Sequence, residues 1–305
     1  MSRVESRFPR RAYRAPASSP AVAGFRPASA AWAVAAAFSL HAPLVLAQPS
    51  GAQAIHGSAS LVRSGANLVV NTQNGVGSNH SAINWQSFSV PAGSVTQFNQ
   101  PSATSLSINR VVGNDPSAIF GTLSSNGRLV LVNPAGIAVG KGAVVDTAGF
   151  TASTLKMGEA DAIAGRLLFE GGAGSLTVDG KVIARHGDVV LISSSVATGA
   201  EAVIQSANGA TVLAAGQKVE LTGRGLEGIR LEVSAPANEA LNLGRLQGDA
   251  VGMFAGTLRH SGVINACVNR HTMAPNAPTH SAIVASAWIA KPGPRFATAF
   301  AYPST

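Results

Sequence analysis

An all-β chain of short stacked strands is what this sequence predicts. Between residues 48 and 266 one phrase recurs: a glycine or asparagine, a short β-rich run, then another turn. Examples are residues 67–71 (NLVVN), 127–133 (GRLVLVN), 187–193 (GDVVLIS), 209–214 (GATVLA) and 218–222 (KVELT). Period-two alternation punctuated by Gly and Asn is the strand signature. The 33 glycines and 5% aromatic residues favour many turns and small inward side chains over a helical core. Spacing suggests stacking. Gly187 to Gly209 is 22 residues, and Gly127 to Gly187 is 60, read as three further turns of about 20. One coil of that length cannot bury its inward face alone, and the next coil supplies the cover. A β-solenoid is therefore favoured, with an ordinary β-sandwich as the alternative that the imperfect period leaves open.

The first coil of a solenoid exposes unpaired strand edges, so something must cap it. The less regular segment at about 54–109 is the candidate, with Trp85, Phe88 and Phe98 available to lie over the open core. No stretch after Ala47 shows a sustained 3.6-residue apolar pattern. Residues 153–165 are the best helical candidate, and they are few.

The first 47 residues read as an address. Arg3, Arg7, Arg10, Arg11 and Arg14 precede an apolar run from Ala30, and small residues follow up to Ala47. That order of basic, apolar and small-residue regions is a secretory signal, with cleavage expected after Ala47. A membrane anchor is the competing reading, but His41 and Pro43 interrupt the apolar run. After cleavage no integral membrane span is expected.

The net charge of +8 does not describe the folded part. Residues 1–47 hold six Arg and one Glu, and residues 267–305 hold three cations and no acid. The remaining 13 basic and 13 acidic residues leave 48–266 neutral. Nucleic-acid binding needs cations gathered on a folded face, so it is excluded as a function class. Cys267 is the single cysteine, so no intrachain disulfide forms.

No catalytic residues are expected. A carbohydrate-active β-helix enzyme is the alternative function, but the acids are scattered. The closest pairs, Glu159/Asp161 and Glu227/Glu232, read as solvated surface charge. His56, His80, His186 and His260 stand isolated in sequence, so no zinc-ligand spacing arises. Gly223, Gly225 and Gly228 match a dinucleotide fingerprint, but residues 229–233 (IRLEV) read as a strand where that fingerprint needs a helix. These glycines are assigned to solenoid turns. No cofactor and no metal are expected.

One series of motifs carries a resemblance. It comprises residues 82–90 (AINWQSFSV), 95–101 (VTQFNQP), 107–111 (SINRV), 116–121 (PSAIFG), 126–137 (NGRLVLVNPAGI) and 151–155 (TASTL). Together these resemble the amino-terminal secretion domain of filamentous haemagglutinin-like exoproteins of two-partner secretion systems, the haemagglutination activity domain. Weaker similarity continues to about Ala266, covering roughly two thirds of the chain. The resemblance implies a right-handed parallel β-helix with an amino-terminal cap. It implies a partner, a dedicated outer-membrane transporter whose periplasmic domains engage the unfolded chain. It also implies passage through the periplasm to the surface of a Gram-negative bacterium or beyond. Downstream roles in the family include adhesion to host or neighbouring cells, haemagglutination and toxin delivery.

Asn133, Pro134, Gly136 and Ile137 match the family motif Asn-Pro-Asn-Gly-Ile, and Ala135 departs from it. These four are the candidate transporter-recognition residues. Asn133-Pro134 also favours turn initiation and Gly136 permits a positive φ, so a simple coil corner is the parallel reading. The family's other motif, Asn-Pro-Asn-Leu, has no convincing copy. After Ala266 the rhythm stops. Five of the 16 prolines fall in residues 267–305, which are expected to be a disordered or non-native tail of a truncated or frame-shifted chain.

Overall fold

The computed structural model describes residues 48–233 and 237–266, together with the backbone of two strands, Ile283–Ala287 and Phe296–Thr298. The expected signal at 1–47 lies outside the described residues, as does the rest of 267–305. Within that tail, Ile283–Ala287 adds in parallel to Ala250–Ala255, and Phe296–Thr298 adds in antiparallel fashion to Ile229–Glu232.

The described chain is a parallel β-helix with three faces. The first sheet runs from Gln53–His56 through His80–Trp85, Leu106–Val111, Arg128–Val132, Gly149–Ser153, Val189–Ser193, Ala210–Ala215 and Ala250–Ala255 to Ile283–Ala287. The second sheet is also nine-stranded, from Ser58–Ser64 to Val263–Ala266. The third has six strands, from Ser117–Ile119 to Thr257–His260. Each coil visits the first, third and second sheets in turn. One coil is Arg128–Val132, Ile137–Val139 and Val144–Thr147, after which Gly149–Ser153 begins the next.

The register corrects the spacing read from sequence. Arg128 lies beside Gly149, and Val189 beside Thr211, each a single coil apart along the chain. Phe150, however, lies beside Val189, and Thr211 beside Val251, and each of these steps takes nearly twice as much chain. The interval from Gly127 to Gly187 therefore holds two coil steps rather than three. The surplus is an insertion, and a second insertion follows Ala215. Both leave from the same corner, between the first-sheet and third-sheet strands. They fold back as an outer antiparallel sheet of Leu167–Glu170, Lys218–Leu221 and Ile229–Glu232. Lys218–Leu221 thus belongs to no coil. Gly223, Gly225 and Gly228 close an outer hairpin rather than solenoid turns. Gly225 takes φ 71°, and the Thr222 N–H donates to the Gly228 carbonyl at 2.7 Å.

Two cores result. The first fills the coil interior with Leu129, Leu131, Val145, Leu176, Val182, Leu191, Leu213 and their neighbours. The second lies between the outward side of the first sheet (Ile108, Val130, Val132, Val190, Ile192, Val212) and Phe169, Val219, Ile229 and Leu231 of the outer sheet. A sheet covered on both faces needs apolar residues at every position. That is why the first-sheet strands read as the runs RLVLV, VVLIS and ATVLAA. Second-sheet strands such as VVDT and VIQS have only one covered face, and every second residue is buried. Each aliphatic side chain so buried contributes about 1.5–3 kcal/mol relative to exposure.

The helical candidate is realised as Glu159–Ala164, inside the first insertion. Glu159 and Asp161 suit its first turn, and Gly165 at φ 70° ends it.

The segment expected as a cap divides in two. Gln53–His56 runs antiparallel to His80–Trp85, and Ser58–Ser64 forms a hairpin with Asn67–Gln73 through a turn at Gly65, φ 55°. From Asn67–Gln73 onward the strand pairings within the three faces are parallel. Trp85, Phe88 and Phe98 are buried inside the first coils, with Trp85 meeting Phe88 and Phe98 edge-on at 5.3 and 6.5 Å.

Two of the histidines isolated in sequence meet in space. The His56 and His80 rings stack with centroids 4.3 Å apart, joining the antiparallel strand to the first coil. His56 Nε2 is 2.9 Å from Ser78 Oγ, and His80 Nε2 is 3.0 Å from the Ile163 carbonyl. Burial, then the neighbouring His80, holds His56 below its ordinary 6.5. A depressed folded value means that the unfolded chain takes up the proton first. The stability contribution is therefore complete above about pH 6.5 and is lost as pH falls below it. We expect the denaturation midpoint to drop between pH 7.5 and 5.5, and the drop to shrink in His56→Gln. An equal drop in both proteins would assign it to other groups.

Candidate functional site: the corner at Asn133

Strand Arg128–Val132 ends where its chain must turn from the first sheet to the third. Residues 133–136 make that turn in four steps. The Gly136 N–H donates to the Asn133 carbonyl at 3.0 Å, and Gly136 takes φ 128°, a conformation that disfavours a Cβ. Pro134 sets φ for the second turn position. Ile137 then enters the third sheet between Ser117 and Leu176, with its side chain buried in the first core.

Asn133 is fully buried, and its amide is spent inside the corner. Nδ2 donates to the Asp115 carbonyl and to Ser117 Oγ, both at 2.9 Å. Oδ1 accepts the Ala135 N–H at 3.0 Å. The side chain therefore pins its own turn to the coil before it, while the Asn133 N–H donates to the Ser153 carbonyl of the coil after it. Gly174 of that next coil lies against the turn. A Cβ there would stand 2.6 Å from the Pro134 carbonyl oxygen, so only glycine lets the backbones close. Of the four residues singled out by sequence, the folded domain leaves only Pro134 partly exposed, alongside Ala135.

A groove of about 480 Å³ opens beside this corner. It crosses the same corner of three successive coils, at 110–114, at Val132 with Pro134 and Ala135, and at 156–157. Sequence reading missed it, because its walls come from segments a whole coil apart and one lies in an insertion. Arg110, whose side chain is only 14% exposed, donates from Nε to the Met157 carbonyl at 3.1 Å and from Nη1 to Asn84 Oδ1 at 2.8 Å. The same Nη1 lies 3.3 Å from Glu159 Oε2. Hydrogen bonds from Asn84 and Arg110 hold the Glu159 carboxyl below its usual range.

The acid pairs noted in sequence do not converge on a shared site. Asp161 pairs with Arg166, and Glu232 lies in register with Lys218. Asp249, which sequence reading did not single out, lies within electrostatic range of both Arg224 and Asp188. Burial raises its carboxyl above the usual range, Arg224 opposes the shift, and Asp188 adds to it. Asp188 accepts the Ala210 N–H at 2.8 Å and the Gly225 N–H at 2.9 Å, which ties the outer hairpin to the coils. The cavity beside it measures about 70 Å³, far below the roughly 300 Å³ at which ligand pockets begin. Among the described residues no group of three or more His, Cys, Asp or Glu is placed to hold a metal.

The described residues thus form a solenoid with an outer sheet over one face, and the motif singled out by sequence is a buried corner of it. The TPS secretion domain family matches residues 47–275, and the chain belongs to that family. It is a secretion-domain family and not an enzyme family. The crystal structure of the HMW1 secretion domain from Haemophilus influenzae superposes with a TM-score of 0.63 at 31% identity, over 71% of this chain and 58% of that one. Two heme/hemopexin-binding proteins of Haemophilus influenzae are similar over shorter stretches. One is 32% identical over 106 residues, which are 35% of this chain and 11% of that protein. The other is 37% identical over 78 residues, 26% of this chain and 8% of that protein. The match thus spans about a tenth of these relatives' length.

Proposed function

We propose that this chain carries the recognition module by which a two-partner secretion exoprotein reaches the cell surface. Residues 1–47 act as a cleaved signal into the periplasm. A partner outer-membrane transporter then engages residues 48–266 through its periplasmic domains while they are unfolded. The chain crosses the transporter and folds into the β-helix outside, where the exoprotein serves in adhesion to host or neighbouring cells. The observation that carries this reading is the family match, which begins at residue 47, where the signal reading ends. The neutral middle of the chain supports it too, as does the fact that no described helix is long and apolar enough to cross a membrane.

Asn133, Pro134, Gly136 and Ile137 are the proposed recognition residues, read before folding. Once folded, the corner hides Asn133 and Ile137, so a transporter can reach them only in the extended chain. The test is binding of the denatured full chain, freshly diluted, to the partner's periplasmic domains. We expect saturable binding, weakened about ten-fold, or 1.4 kcal/mol, in the Asn133→Ala/Ile137→Ser double variant. A less stable fold would leave more of the variant unfolded and raise its apparent binding, opposite to the weakening expected. Unchanged affinity in the variant would leave these residues as a coil corner only. Absence of binding by the parent chain would overturn the secretion reading itself.

A further inference from the structure

We propose that the groove beside the Asn133 corner binds a short acidic peptide segment of another protein, in the folded domain. This does not rest on the secretion reading, since the groove exists only after the coils have stacked. Its lining is mixed: Val112 is 53% exposed at the rim, Pro134 and Ala135 are partly exposed, Asn114 adds an exposed amide, and Val111, Val132 and Met157 show little surface. Two cations border it. Lys156 is exposed, and its ammonium has no hydrogen-bond or ion-pair partner among the described residues. Arg110 is largely buried and held in place through Nε and Nη1, while Nη2 makes no hydrogen bond among the described residues. Glu159, 57% exposed, is the acid that meets Arg110, while Glu170, opposite Lys156 across an isolated bridge, gives its carboxylate to Lys218.

Size and lining select the occupant. Neighbouring coils stand about 4.8 Å apart, so three corners span about 10 Å, the length of roughly three extended residues. The volume falls within the usual range for small-ligand sites. No aromatic ring lines the groove, which argues against a sugar face stacked on it. An apolar–acidic–apolar peptide meets the rim at Val112, Pro134 and Ala135 and the ammonium of Lys156, beside the Arg110–Glu159 pair. Neither flanking segment of the given sequence offers a suitable acid: residues 267–305 contain none and residues 1–47 contain only Glu5.

The test uses the purified, folded full chain and fluorescein-labelled Gly-Leu-Glu-Val-Gly, followed by anisotropy. We expect a Kd on the order of 0.1 mM, the scale a ligand of this size reaches. The Leu-Gln-Val counterpart should bind at least about ten-fold more weakly, and so should the acidic peptide to Lys156→Glu. Lys156 is exposed, so this variant should keep the parent's circular dichroism, and Lys156→Met provides a second variant without charge reversal. Lys141→Gln, which removes an exposed lysine already paired with Glu201, should leave binding unchanged. Equal binding of both peptides, no binding at millimolar peptide, or equal weakening by Lys141→Gln would overturn the proposal. Selective binding of a sulfated disaccharide in place of the peptide would overturn it as well, and so would self-association that competes with the peptide.

Discussion

Asn133→Asp is expected to lower the unfolding free energy by about 3–5 kcal/mol, the range for a buried charge left without its partner. The substitution changes one nitrogen to oxygen and leaves the shape alone. Both Nδ2 bonds disappear, however, and a carboxylate oxygen then faces the Asp115 carbonyl at a position with no solvent exposure. The bond from the Ala135 N–H survives and even strengthens, and the Ser117 hydroxyl can turn to donate, but the contact to the Asp115 carbonyl becomes repulsive. Burial disfavours the charged form, so the introduced carboxyl binds its proton more tightly in the folded state than in the unfolded state. The deficit should therefore shrink as pH falls toward 5 and the regained O–H donates again. Urea titrations of the full chain at pH 7.5 and 5.0 read both effects. A variant as stable as the parent at pH 7.5 would mean that the amide contributes nothing to the corner.

Trp85→Ala should cost a similar amount, about 3–5 kcal/mol, for a different reason. Trp85 is the last residue of its strand and lies wholly inside the first coil against Phe88 and Phe98. Truncation leaves a cavity that three rings no longer fill. It also frees Asn109 Oδ1, which accepts the indole Nε1–H at 2.9 Å in a buried site. Trp85→Phe keeps most of the volume and loses the hydrogen bond, so it should cost about 1–3 kcal/mol. Intrinsic fluorescence during denaturation measures the parent, and far-ultraviolet circular dichroism measures both variants. A loss of less than about 1 kcal/mol in Trp85→Ala would show that the first coil collapses onto the gap.

Much of the architecture was legible because strand periodicity is local. Asn133, Pro134 and Gly136 announced a turn, and the chain turns there with the hydrogen bonds such a sequence favours. The short helix before Gly165 was legible for the same reason, since a glycine that can take positive φ ends it. The coil count was not. Gly127 to Gly187 looked like three equal coils because an insertion happens to be nearly as long as a coil, and length alone cannot tell them apart. The signal that could have separated them was burial pattern. Val189–Ser193 and Ala210–Ala215 are apolar at almost every position, which a one-sided coil does not require.

Contacts between distant residues escaped sequence reading altogether. His56 and His80 stack, Asp188 holds Gly225, and Arg110 reaches Met157 and Glu159. None of these pairs lies close in the chain, and each depends on which coil stacks on which. By itself the sequence determined the strands, their turns and the family, because alternation, glycine and proline placement and the motif series act within a few residues. Only the tertiary structure decided that the corner amide of Asn133 is spent inside the fold, that a second core covers the first sheet, and that a cationic groove opens beside the turn. Those features arise from stacking register, which the backbone ladder sets coil against coil.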